Sequence, residues 1–548
     1  MNTSSQPKKR VTSNSVVGVG SDRRQRSVVR QFAVVALFLA AACTQSATER
    51  AQSVISFIGG VTADEPRATL AGIAALESGG TAADAAVATF FSLTVTYPLA
   101  AGLAGGGACV AYDAVTGTAE SIDFLPTTPA LGGAVAVPGS VRGMAALHAR
   151  FGRLRWAQLI LYAEKIARLG FPASRALATA AREYAGTTGA SSLGPFIVGG
   201  RPVEEGATVE QPALAEMLST VRIRGGGDLY FGDSARGLVL RAQNAGGHMT
   251  IDDLKQFLPT WNRSNRTAFG DLSYFTTAEG PGGGALSAAM WAMLTDQQRY
   301  AQTPLPVRVH LIAEAGTRAL TERAGGGEAT AFRAAALMTD YDPTKHRAAE
   351  GAAVPDLAPW IGAGRDGTTG FVTLDATGSA VACVLTMNAP FGDGKLDEDL
   401  GIFFAPAVLD GVDGWLRTGT DFMAPVVIAN GVTGEFVLGL TATGGPAAPI
   451  AAVSTAAIAV LEAQPLRQAV NAARVFALPN PDTTVYERGT TLPTVEALRA
   501  AGHRVTDGAA FGIVNAILCF GGATLDPSSC QFVADGRGFG LGDGGTQF

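Results

Sequence analysis

The run from Thr368 to Asn388, TTGFVTLDATGSAVACVLTMN, leaves the chain few folds to choose from. Its first half carries Phe371, Val372 and Leu374, its second half Val381, Ala382, Val384 and Leu385, with Asp375-Ala376-Thr377-Gly378 between them. Two β-rich segments flanking an Asp/Gly turn form a hairpin. Both strands are apolar on both faces, whereas a strand with one wet face alternates. The hairpin therefore belongs in a sheet covered on each side. Helical periodicity over residues 82–92, 156–169, 285–294, 307–324 and 452–464, interleaved with short strands such as 109–112 and 513–519, supplies the cover. With Asp375 to Gly378 as the turn, Thr368 is expected opposite Leu385 and beside Thr386.

The entry to this hairpin, Asp366-Gly367-Thr368-Thr369-Gly370-Phe371, reads as a place where the chain cuts itself. Gly367 has no Cβ and tolerates backbone geometry that other residues resist, so the Thr368 hydroxyl can approach the preceding carbonyl. After cleavage Thr368 would carry both a hydroxyl nucleophile and an α-amine, whose pKa of ~7.7–8.0 suits a general base. Thr386 would support the hydroxyl from the neighbouring strand. The bland alternative is a plain strand start, since Thr is favoured there.

The 548 residues are 47% hydrophobic and only 16% charged, enough to bury a large core, and no Pro/Ser-rich linker divides them after residue 50. One large composite domain is expected. A net charge of −6 argues against a nucleic-acid partner. At the N-terminus a basic region (Lys8, Lys9, Arg10, Arg23, Arg24, Arg26, Arg30) precedes the uncharged run Gln31 to Ala42 and then Cys43. That run is shorter than the ~20 residues of a membrane-crossing helix and reads as a targeting segment. Leu39-Ala40-Ala41-Ala42-Cys43 resembles a bacterial lipoprotein box with Leu one place early, in which Cys43 would take a lipid. Ordinary cleavage after the Ala run is the alternative, and both export the protein.

Of the other cysteines, Cys109 and Cys383 sit in apolar runs and read as buried small residues, while Cys519 and Cys530 could pair in an oxidising compartment. No cofactor or metal motif appears: there is no His-Glu-x-x-His, no Cys-x-x-Cys and no Walker loop. Gly540 to Gly545 formally fits a dinucleotide fingerprint, but no helix can follow it, so it reads as a glycine-rich tail. Asp397-Glu398-Asp399 reads as a solvated acidic loop. Thr81 to Asp84 fits a helix-capping box.

Asp366 to Asn388 resembles the nucleophile segment of the γ-glutamyltransferase (glutathione hydrolase) family of N-terminal-nucleophile hydrolases. Further matches follow in family order: Ser78-Gly79-Gly80-Thr81-Ala82-Ala83-Asp84-Ala85-Ala86, Pro98 to Asp113, Val137-Pro138-Gly139, Phe151-Gly152-Arg153-Leu154, Gly170-Phe171-Pro172, Asn244 to Thr250, His310 to Ala315 and Thr443-Gly444-Gly445. The resemblance covers nearly everything after residue 50. It implies an α+β fold, a four-layer αββα sandwich. It also implies a precursor cut at Gly367-Thr368, so that a targeting segment (1–43) and large subunit (44–367) precede a small subunit (368–548). It casts Thr368 as the catalytic nucleophile and Thr386 as its supporting hydroxyl. Gly444 and Gly445 would donate to the oxyanion, one such donor being worth ~2.7–4 kcal/mol. Asn388 would contact substrate and Asp410 would hold the substrate's α-ammonium. No cofactor is implied. The partners are a small-molecule amide or γ-glutamyl substrate, the two subunits of one precursor, and a lipid anchor through Cys43.

The substrate-recognition residues depart from the pattern. Leu125, in Ile122-Asp123-Phe124-Leu125-Pro126, falls where the family places an Arg that grips the γ-glutamyl α-carboxylate, and leucine cannot replace a bidentate pair. The family's Ser-Ser falls on Asp421-Phe422, a carboxylate-or-amide position on Ala407, and a His on Gly370. Three readings remain: a self-processing γ-glutamyl transferase or glutathione hydrolase, an acylase for amides without that carboxylate, and a catalytically silent envelope-binding scaffold.

Overall fold

Strands that are apolar on both sides must be covered twice, and the chain meets this by stacking two sheets and flanking them with helices. The computed structural model describes residues 56–188, 192–278, 282–325, 344–347, 354, 356–357, 367–407 and 422–547. Cys43, Asp366, Asp410 and Asp421 therefore lie outside the described residues. In chain order the strands of the two sheets are β1 (Ser56–Ala63), β2 (Gly106–Asp113), β3 (Thr118–Asp123), β4 (Thr260–Arg263), β5 (Asn265–Phe269), β6 (Leu272–Thr276), β7 (Thr368–Asp375), β8 (Ala380–Thr386), β9 (Ala424–Asn430), β10 (Phe436–Thr443), β11 (Ile513–Cys519), β12 (Cys530–Ala534) and β13 (Leu541–Gln547). One sheet runs β13-β1-β7-β8-β2-β3-β4 and the other β12-β11-β10-β9-β6-β5.

Between the sheets Val110, Val372, Leu374 and Ala382 meet Val427, Phe436 and Ile517. The outer face of the first sheet, with Phe371, Cys383 and Leu385, is covered by α1 (Pro66–Glu77) and α2 (Ala82–Thr96) through residues such as Ile73, Phe90 and Phe91. The second sheet's outer face is covered by α3 (Gly283–Thr295) and α5 (Ala448–Ala456), which pack Trp291, Ala448 and Ala452 on Ile428, Leu438 and Val514. A longer helix, α4 (Leu305–Gly325), lies against α3. This is the expected αββα order of layers. The capping box is present: Asp84 N donates to Thr81 Oγ1 at 3.2 Å, and Thr81 N to Asp84 Oδ2 at 2.9 Å. It anchors α2 to the hairpin, because Ala82 N donates to Asp375 Oδ2 at 3.0 Å and Thr373 Oγ1 to Ala82 O at 2.7 Å.

Four sequence expectations need correcting. Thr368 pairs with Thr386, and Leu385 pairs with Thr369. The turn holds one residue more than expected: Gly378 takes φ +84° and Asp375 N reaches Ser379 O at 2.9 Å, a three-residue loop closed by a glycine in the left-handed region. Cys109 and Cys383 are not free buried residues but a disulfide between directly opposed positions of β2 and β8, with Cα atoms 4.1 Å apart. Cys519 and Cys530 are bridged as well, across β11 and β12. The glycine-rich tail is an edge strand, β13, lying beside β1. A Cβ on Gly544 would come within 2.5 Å of Gly60 Cα, so glycine on both strands permits that approach. Finally, the helix expected at 452–464 begins earlier, as Ala448–Ala456, and runs into a π turn at Ala457–Leu461.

Candidate active site

A one-residue change of register moves every side chain of a strand to the other face. Under the expected register Thr386 would have pointed away from Thr368. In the observed one the two residues are direct partners on the same face, the face turned toward the second sheet. Both are buried, at 2% and 0% exposure. Thr386 Oγ1 accepts from Asn388 N at 2.8 Å, which fixes the hydroxyl's rotamer next to Thr368.

The second sheet brings the glycine pair. A Cβ on Gly370 would lie 2.4 Å from Thr441 Oγ1, and one on Gly439 2.8 Å from Val372 Cγ1, so β7 lies directly on β10. The same two-residue step along each strand leads from Gly370 to Thr368 and from Thr441 to Thr443. The Gly444-Gly445 turn that ends β10 therefore lies at the Thr368 end of the seam. Gly444 has φ +114° and Gly445 φ +58°, and a short 3-10 turn then leads into α5. Both glycines thus sit in the left-handed region, which glycine enters without a Cβ penalty, at the turn that leads into a helix.

Upstream of Thr368, Gly367 takes φ +75°, and a Cβ there would meet Ala389 C at 2.3 Å, so only glycine fits. The Gly367 carbonyl accepts from Met387 N at 2.9 Å, a contact that polarises it. Asn388 adopts φ +60° and donates from Nδ2 to Pro406 O at 3.0 Å, while its Oδ1 is buried with no hydrogen-bond partner. Thr441 Oγ1 and Thr443 Oγ1 are buried in the same condition. Each unmet polar group costs about 1–3 kcal/mol, and such groups call for an explanation in a native fold. Here three of them gather around the residue singled out as a nucleophile.

Asp64, which the sequence did not single out, holds the far side of this strand end. Its buried carboxylate accepts from Thr369 Oγ1 at 2.6 Å, Gly370 N at 3.2 Å and Asn515 Nδ2 at 2.7 Å. Burial pushes its pKa above the usual carboxylate value, against the lowering by those donors.

The recognition end is apolar. Leu125 packs with Ala108, Val384 and Met423 on the face that carries Thr386. Phe422 is buried, with the Arg323 guanidinium carbon 5.3 Å from its ring centre. Ala407 is buried beside Pro406 and bonds Ala134 O through its N–H. Arg142, a natural substitute for the missing Arg, is committed elsewhere: its Nη1 donates to Leu254 O, Lys255 O and Phe257 O, and the guanidinium lies over Tyr230.

Among the described residues one group has the makings of a metal site: His310, Glu314 and His503, with ligand atoms within 4.8 Å of one another. No sequence spacing announced it. The group is already tied into a hydrogen-bond chain. His310 Nδ1 meets His503 Nε2 at 2.7 Å, His503 Nδ1 meets Thr484 Oγ1 at 2.8 Å, and His346 bridges Glu314 and Asp482.

Comparison with known proteins agrees with this geometry. The family model described as gamma-glutamyltranspeptidase matches residues 68–540. Scoloptoxin SSD14 from Scolopendra dehaani is 25% identical over 86% of this chain and 92% of its own length. The glutathione hydrolase proenzyme of Pseudomonas aeruginosa is 30% identical over 60% of this chain and 63% of its own. The crystal structure of cephalosporin acylase from Bacillus halodurans superposes with a TM-score of 0.74 at 18% identity, covering 89% of this chain and 96% of that one. The chain belongs to the γ-glutamyltranspeptidase family and is an enzyme of its amidohydrolase and acyltransferase kind, on an N-terminal-nucleophile hydrolase fold.

Proposed function

We propose that the protein is an exported precursor that cuts itself ahead of Thr368 and then hydrolyses or transfers the acyl group of a small amide. The observation that carries this reading is the single seam holding Thr368, Thr386 and the Gly444-Gly445 turn, with Gly367 at φ +75° where a Cβ would strike Ala389. In the first step Thr368 Oγ attacks the Gly367 carbonyl carbon, already polarised by Met387 N–H. The peptide bond gives way to an ester and frees the Thr368 amine. Water then hydrolyses the ester, leaving a Gly367 carboxylate and a Thr368 with hydroxyl and α-amine. In turnover the amine takes the hydroxyl proton as Oγ attacks the substrate amide, the Gly444 and Gly445 N–H groups hold the oxyanion, and the proton passes to the departing amine. Water or an acceptor amine releases the acyl group. Asn388 Oδ1 and the Thr441 and Thr443 hydroxyls offer polar contacts to the substrate, and Asp410 is assigned its α-ammonium.

An acylase reading is favoured by one observation, the Leu125–Ala108–Val384–Met423 patch where a carboxylate-binding Arg would stand. Export and lipid attachment at Cys43 belong to the same proposal, supported by the basic region and the short apolar run before that cysteine. On a reducing denaturing gel the purified protein should resolve into two chains, the smaller beginning Thr-Thr-Gly-Phe, and Thr368→Ala should stay whole. Amide turnover by a wild-type chain that remains whole would defeat the proposal. For the anchor, Cys43→Ser should move the protein from membranes to the soluble fraction of a bacterium with a lipoprotein pathway.

A further inference from the structure

A nucleophile at a chain end must be held by what surrounds the end, because chain termini fray unless tied down. The cut proposed above turns Thr368 into such an end. Downstream, β7 is gripped on both edges, with β1 on one side and β8 on the other. Toward Thr368 the β1 side gives out: the pairing of β1 stops at Ala63 opposite Phe371. Thr368, Thr369 and Gly370 are paired only with β8. The backbone N–H of Gly370 points to where β1 would have continued, and it is met there by the Asp64 carboxylate.

We propose that Asp64 is the positioning residue for the nucleophile, acting through Thr369 and Gly370 in place of the strand that β1 no longer provides. Its two oxygens divide the work. Oδ2 takes the Thr369 hydroxyl at 2.6 Å and the Gly370 N–H at 3.2 Å. Oδ1 takes Asn515 Nδ2 at 2.7 Å, and that amide nitrogen also reaches the Gly370 carbonyl at 2.9 Å. The residue next to the nucleophile is thus held by its side chain, and the one after it by both main-chain polar groups, from two sheets at once. Asp64 is 5% exposed, Thr369 0% and Asn515 1%, so water competes for none of these bonds. A hydroxyl bonded to a carboxylate is a short, strong contact. Holding a reacting group within a fraction of an ångström matters because a misplacement of about 1 Å can cost on the order of a hundredfold in rate.

The inference rests on Thr368 being the nucleophile, and the test separates the two. Thr369→Val keeps the shape and β-branching of the side chain and removes the hydroxyl; Thr369→Ser keeps the hydroxyl. With the processed enzyme and an anilide donor, Thr369→Val should lower kcat roughly ten- to a hundredfold with KM nearly unchanged, and Thr369→Ser should recover most of it. Asp64→Asn should cost a similar factor. The double variant Asp64→Asn/Thr369→Val should lose little more than either single one, because both break the same contact. Self-cleavage followed on reducing gels should slow in the same order. If Thr369→Val matches wild type in kcat, or if the two single losses multiply in the double variant, Asp64 does not act through Thr369 and the proposal falls. A wild type that neither cuts itself nor turns over an amide counts instead against the assignment of Thr368.

Discussion

Two buried polar regions of this molecule are built to different standards of completeness. Around Arg474 every charge is met. Its Nη1 donates to Phe511 O and Gly512 O and its Nη2 to Val470 O and Asp535 Oδ2. Arg537 binds both Asp535 and Glu487, and Glu487 caps the N–H groups of Arg474 and Phe511. Around Thr368, by contrast, Asn388 Oδ1, Thr441 Oγ1 and Thr443 Oγ1 are buried with nothing bonded to them. A completed network fixes the relative positions of the segments it joins. An incomplete one leaves polar atoms that a bound substrate could meet.

The comparison can be broken at several points. The largest effect should come from Thr368→Ala, which removes the proposed nucleophile of both reactions: turnover should fall below detection and reducing gels should show one unsplit chain. Next, Arg474→Met should lower folding stability by about 3–5 kcal/mol, because it breaks a buried pair, leaving Asp535 to Arg537 and taking the donor from Phe511 O and Gly512 O; urea titration would measure it. If Arg474→Met is as stable as wild type, the completed network is not structural. Smaller is the effect of the recognition end on substrate choice. With Leu125 where the family holds a carboxylate, a 4-aminobutyryl anilide should outperform a γ-glutamyl anilide in relative kcat/KM. The family's preference would shift by roughly ten- to a hundredfold, the loss of one charge-assisted pair. A retained preference for the γ-glutamyl compound would point to another cation, with Arg323 beside Phe422 the first to substitute.

Asp64 gives a pH signature within the seam. Burial holds its pKa above the ordinary 3.8, with the Asp535 carboxylate adding to the rise and the bonds from Thr369, Asn515 and Gly370 opposing it. The folded state therefore keeps this proton longer than the unfolded one. Its contribution to stability is complete below 3.8 and is lost as pH climbs through the raised value. Thermal midpoints across that window should fall less steeply in Asp64→Asn. The smallest effect belongs to Thr441→Val: with an unmet hydroxyl exchanged for a methyl of the same shape, stability should change by less than ~1 kcal/mol, or rise, while turnover drops. A loss as large as that of Arg474→Met would show that Thr441 is structural after all.

What the sequence disclosed and what it hid follow from distance along the chain. The hairpin that begins at Thr368, the capping box at Thr81 and the helix at Trp156–Leu169 were legible because each depends on neighbours a few residues away, whereas the αββα layering came only with the family resemblance. The pairing of Thr368 failed by one position because Gly378 admits an extra turn residue, a choice that composition does not settle. Asp64 went unseen because its partner Thr369 lies 305 residues on, and Cys109 because its partner is 274 away. The histidine chain of His310, His346 and His503 was hidden for the same reason.

The disulfide between Cys109 and Cys383 has a bearing on what cleavage accomplishes. Cys109 precedes the proposed cut and Cys383 follows it, on strands that are already neighbours. Breaking the bond before Thr368 would open a new terminus without releasing either piece. The pieces would stay a single covalent molecule, joined at a knot inside the sheet. Their contact would then not depend on protein concentration, since a tether of this kind holds partners at an effective concentration of about millimolar or more. An enzyme released into dilute surroundings, where noncovalent halves would drift apart by mass action, would remain whole. Such a device is open to a protein that matures where thiols are oxidised.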